Sequence, residues 1–131
     1  MNAAHDLRAL LAGVARLDVS PGTSGAEAEA TMLPVDVLNG SMVGLVRFGG
    51  ETPWEIHRAG DELLHVLEGE VEVTVLAGDG PVRAVLRPGS VFVVEKNLWH
   101  RQHARPEVAL LFATPMEGNE HSWEADPRTP R

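Results

Sequence analysis

The stretch from Gly49 to Gly69, GGETPWEIHRAGDELLHVLEG, constrains this chain more than any other. Glycines bound it, and between them an acid, an imidazole and a second acid stand at positions 55, 57 and 62. In an extended segment residues i and i+2 point to the same face, so Glu55 and His57 share one. After a short loop at Gly60 and Asp61, Glu62, Leu64 and Val66 share a face of the next strand. The pattern predicts neighbouring strands that aim two carboxylates and an imidazole into one space. Oxygen and nitrogen donors gathered inside a β-structure suit a borderline divalent metal ion.

A second stretch, RPGSVFVVEKNLWHRQH from Arg87 to His103, repeats the logic. A Pro-Gly turn leads into an apolar strand at Val91–Val94, a turn follows at Lys96 and Asn97, and the next strand carries His100. The two stretches resemble the two motifs of the cupin superfamily. In the first motif, G(X)5HXH(X)4E(X)6G, the matching positions are Gly49, Glu55, His57, Glu62 and Gly69, with Glu55 where the family usually has its first histidine. In the second, G(X)5PXG(X)2H(X)3N, they are Gly89, Glu95, Asn97, His100 and Ala104; glycine and histidine are kept and the other three are replaced. The resemblance extends from about residue 40 to residue 113. It implies an all-β jelly-roll barrel (a double-stranded β-helix), preceded here by a short N-terminal helix. It also implies one divalent transition metal ion (iron, manganese, zinc or nickel) held by His57, Glu62 and His100, with Glu55 as a further ligand.

At 131 residues the chain has room for one core and not for two. A formal net charge of −8 argues against nucleic acid, because neutralising phosphates needs a basic surface. The absence of cysteine excludes thiolate catalysis, disulfides and sulfur-ligated metal. No apolar run approaches the length of a membrane span, and no secretory signal pattern opens the chain. The expectation is a cytoplasmic protein that binds a small molecule, without nucleic-acid or membrane partners.

Taken in order, Leu7, Leu10, Leu11, Val14 and Leu17 are spaced for an amphipathic helix over 5–18, with Asp6 suiting its N-terminal dipole. Residues 1–30 thus form a helix and lead-in, with a loop at 20–25; a barrel is expected over 31–115 and a loosely held polar tail over 116–131. Asn39-Gly40 between TMLPVDVL and SMVGLVRF is a hairpin signal, and Pro34 favours an edge strand. Val71, Val73 and Val75 alternate with polar residues as a half-buried strand, followed by strands at Val82–Leu86 and Glu107–Ala113. About nine strands with frequent turns fit a jelly roll.

Glu55 has three readings: a fourth ligand, a general base beside the metal, or a carboxylate at the barrel rim. Gln102, in register with His100, is expected to contact substrate, and Met42 and Leu98 to supply apolar pocket wall. His65 and His103 are out of step with the ligands and should face away; His5 and His121 are expected outside the barrel. Trp54 and Trp99 are also out of phase, suited to the outer face or a homodimer contact. The function expected from the resemblance is a metal-dependent enzyme of dioxygenase, isomerase or cyclase type on a small organic substrate. Its rival is a non-catalytic metal or small-molecule binding module.

Overall fold

The computed structural model describes residues 2–128. Its elements are α1 (Leu7–Leu11), β1 (Arg16–Val19), α2 (Gly25–Thr31), β2 (Leu33–Leu38), β3 (Ser41–Glu51), β4 (Trp54–His57), β5 (Glu62–Ala77), β6 (Gly80–Leu86), β7 (Val91–Val94), β8 (His100–Pro115) and β9 (Asn119–Ser122). The fold is a β jelly roll with an N-terminal helix. Its frame is the antiparallel pair β5 and β8, each of 16 residues, running side by side from Leu63↔Ala113 to Val75↔His100. Strand β3 pairs with the other edge of β8 from Ser41↔Pro115 to Glu51↔His103, and β6 and β7 pair with successive parts of β5. Strand β4 meets the start of β8 at Glu55↔His100.

The long strands curl because they are interrupted without being broken. Register shifts lie between Val66 and Glu68 and between Gly69 and Val71, and Gly69 has φ 75°. A Cβ built at Gly69 would sit 2.0 Å from the Glu107 carbonyl oxygen, so the backbones approach too closely for any side chain. The segments expected as separate strands on either side of Gly69 are therefore one bent strand, and those on either side of Arg105-Pro106 likewise join as β8. Within the curl, Val46, Phe48, Leu64, Val66, Val71, Val73, Val94, Val108, Leu110 and neighbours form the inner core. They are the alternate residues that the period-2 pattern puts on one face.

The N-terminal segment departs from the expected helix over 5–18. Helix α1 is a single short stretch, capped by the Asp6 side chain accepting from the Ala9 amide, and it stops before Gly13. Glycine and the β-branched Val14 disfavour helix, and Arg16–Val19 instead pairs in parallel with Arg47–Gly50 of β3. Leu11 and Val14 still pack on the outer face of the sheet, against Leu45 and Ala109. Helix α2 was not anticipated, although its signal is local: Ser24 and Glu27 form a reciprocal capping box. Pro34 does lie on an edge strand, since among the described residues β2 pairs only with β3, and the register slips between Pro34 and Asp36.

Part of the polar tail expected to be loosely held over 116–131 is instead a strand, residues 129–131 lying outside the described residues. Asn119–Ser122 forms β9, antiparallel to β4, with Trp54↔Ser122, Glu55↔His121, Ile56↔Glu120 and His57↔Asn119 in register. Arg58 extends the attachment: its amide donates to the Gly118 carbonyl at 3.0 Å and its guanidinium pairs with Glu120. The chain beyond the barrel is thereby laid along the strand that carries Glu55 and His57.

Candidate metal centre

Three side chains from three strands converge inside the barrel. His57 closes β4, Glu62 opens β5 and His100 opens β8, so each stands at a strand end where the barrel mouth lies. They are 3%, 6% and 1% exposed. One donor atom from each lies within 4.8 Å of the other two, a group able to hold a metal ion. Among the described residues Glu55 does not join this group, although it shares the inner face through its register with His100.

The donors are oriented from behind. His100 Nδ1 lies 3.2 Å from the Leu98 carbonyl, which can only accept, so that nitrogen carries hydrogen and Nε2 is turned to Glu62 Oε1 at 3.1 Å. Thr114 Oγ1 donates to Glu62 Oε2 at 2.5 Å. His57 Nδ1 lies 2.8 Å from Asn119 Oδ1, leaving its Nε2 3.3 Å from Glu62 Oε2. The imidazole rings stand 5.0 Å apart at 49°. Thr114 and Asn119 were not singled out from the sequence: Thr114 follows from the inward phase of β8, but Asn119 carries no local signal.

The electrostatics follow from burying one carboxylate between two imidazoles. Burial works against charge on His57, but the Glu62 carboxylate outweighs it and lifts the pKa to about 9. Burial likewise opposes charge on His100, and Glu62 again carries it upward. Glu62 itself is pushed up by burial but held low by its bonds with His100 and His57. Half-buried Glu55 is raised by burial and by the neighbouring Glu62.

This donor set fits a divalent cation. His57 Nε2 is buried and has no hydrogen-bond partner, although a carboxylate oxygen faces it. In the neutral ring that nitrogen and the oxygen are both acceptors, and such a pair is tolerable only with a proton or a cation between them. Two imidazoles and a carboxylate are ordinary ligands for zinc, iron, manganese or nickel.

Gln102 lies on the same inner face, 8% exposed, and its Oε1 is buried without a partner. Met42 and Leu98 are partly buried against the inner core. His65 faces away, its Nδ1 at 3.0 Å from the Ser90 carbonyl, and His103 is exposed. Trp54 is buried on the outer side of β4, with the Arg101 guanidinium 4.3 Å over its ring. His121 is exposed, yet its register opposite Glu55 brings it beside the mouth rather than away from it.

A curled β-barrel with a buried His–Glu–His cluster at its mouth defines the class of protein. The family model for the cupin domain matches residues 43–113, more than half of the chain, and the chain belongs to that family. Similar solved structures include a cupin-2 domain protein from Shewanella frigidimarina, 24% identical with TM-score 0.57, covering 64% of this chain and 78% of that one. A protein from Neisseria meningitidis is 21% identical with TM-score 0.61, covering 86% and 99%. An oxalate oxidase is 26% identical with TM-score 0.59, covering 76% of this chain but only 59% of its own. No curated protein matches the sequence.

Proposed function

We propose that this cupin holds one divalent transition metal ion through His57, Glu62 and His100 and acts as a metal-dependent enzyme on a small oxygen-bearing organic molecule. The observation that carries the reading is the convergence of three buried donors from three strands, with His57 Nε2 and a Glu62 oxygen facing each other at 3.3 Å. When bound, the ion supplies a Lewis acid that polarises substrate oxygens. Glu55, outside the three-donor group but in register with His100, would take or give a proton at the substrate. Burial and the neighbouring Glu62 raise its pKa in the metal-free site, and a bound cation would pull it the other way. Gln102 offers an unsatisfied acceptor to a substrate hydroxyl, and Met42 and Leu98 form apolar wall. Similarity to an oxalate oxidase supports an oxygen-rich small substrate and oxidoreductase chemistry.

We further propose that the protein is a cytoplasmic homodimer. Among the described residues no helix is long and apolar enough to cross a membrane. Support for the dimer is the outer face of the barrel, where Val43, Ala113, Leu63 and Val93 align across four strands and Val91 and Val93 are more than half exposed. Elemental analysis of untagged protein followed by an oxygen-uptake screen over small hydroxy and dihydroxy acids tests the enzyme reading. Stoichiometric metal with substrate-dependent uptake is the expected result. Protein that takes up no metal from a chelator-buffered solution overturns it.

A further inference from the structure

The family domain ends at residue 113, but the metal centre does not. Asn119 of β9 makes two side-chain hydrogen bonds: its Nδ2 donates to the Pro115 carbonyl at 2.7 Å, and its Oδ1 lies 2.8 Å from His57 Nδ1. A backbone carbonyl only accepts, so the Pro115 contact fixes which end of the amide is nitrogen. The end facing His57 is therefore an acceptor, and His57 Nδ1 must bring the hydrogen. In the neutral ring Nε2 then holds the lone pair, aimed at Glu62 and the candidate metal position.

We propose that Asn119 is a positioning residue of the metal centre, holding His57 in the Nδ1–H tautomer so that Nε2 can ligate. The proposal rests on the metal reading of His57, Glu62 and His100. Gly118 and Glu120, on either side of Asn119, are both tied to Arg58, which anchors the strand on each side of the amide. Partners of this kind on the far nitrogen of a ligating histidine set its tautomer and basicity, and their loss costs about 10–100-fold in metal affinity. The segment after the barrel is thus a strap across β4 whose single inward amide completes the site.

The test uses the full chain and Zn2+ alone as the probe. Affinity is measured by competition with a chromogenic chelator for wild type, Asn119→Ala and Asn119→Asp. The His57 ring nitrogens of the zinc-loaded proteins are read by nitrogen-15 NMR. Wild type should show a protonated Nδ1 and a metal-bound Nε2. Asn119→Ala should bind about 10–100-fold more weakly, while Asn119→Asp, which keeps an acceptor at the same atom, should return to within a few-fold of wild type. A merely structural role for β9 would not be rescued by the acidic variant, which loses the bond to Pro115. Zinc affinity and His57 resonances unchanged in Asn119→Ala overturn the proposal while leaving the metal reading intact. Wild type that binds no zinc overturns the metal reading itself, and this role with it.

Discussion

Metal binding by this site should be steeply pH-dependent in a window where an ordinary histidine no longer titrates. In the metal-free protein Glu62 holds a proton on His57 with a pKa of about 9, so the ligand nitrogen must lose that proton before it can bind. At pH 7 only about one His57 ring in a hundred is neutral, which costs about 2.7 kcal/mol of apparent affinity. Between pH 7 and 8.5 the neutral fraction rises about 24-fold; for a histidine of pKa ~6.5 it would rise by less than about twofold. His100, also shifted upward, adds to the slope. Zinc affinity in chelator-buffered solution should therefore climb at least about 20-fold over that interval, and calorimetry in two buffers should count one to two protons released. The stability of chelator-treated protein should move the other way. A histidine with a raised folded pKa stabilises fully below its unfolded value and loses that contribution as pH rises through about 9. The thermal midpoint of the metal-free form should fall between pH 7 and 9.5, and zinc should abolish the fall. An affinity that changes less than threefold between pH 7 and 8.5, with no proton release, would refute the coupling of Glu62 to the imidazoles.

His57→Ala, Glu62→Ala and His100→Ala should each remove most of the bound metal, whereas His65→Ala and His103→Ala should retain it; elemental analysis decides between them. Glu55→Gln separates base from ligand: a base keeps the metal and loses about 10²- to 10⁴-fold in turnover, while a ligand loses metal and turnover together. Its place outside the three-donor group makes the first outcome the expected one, by zinc titration alongside steady-state rates. Sedimentation should find a dimer at micromolar concentration, and Val93→Glu, placing a charge in the exposed apolar row, should give monomer with unchanged zinc affinity. Gly69→Ala should destabilise the fold by several kcal/mol in urea titration, since the new Cβ would overlap the Glu107 carbonyl at a left-handed φ.

Much of the site was legible in the sequence because its logic is local. The i, i+2 spacing puts Glu55 and His57 on one face wherever that segment is extended, and the same alternation excludes His65 and places Gln102 inward. The hairpin at Asn39-Gly40 and the apolar alternation of Val71, Val73 and Val75 depend only on neighbours, and they yielded β2, β3 and part of β5. Sharing a face says nothing of reach, however, and only the register Glu55↔His100 with the curl of β5 and β8 set Glu55 outside the donor group. The amphipathic spacing over 5–18 likewise marked Leu11 and Val14 as buried, but the partner offered by Arg47–Gly50 drew Arg16–Val19 into a strand. Strand β9 was invisible for a different reason. Asn-Glu-His-Ser has no apolar period and little strand propensity; its backbone bonds come from β4, and Asn119 meets a histidine 62 residues away. A contact of that range leaves no trace in local sequence, so the part of the centre that orients His57 was decided only by the tertiary fold.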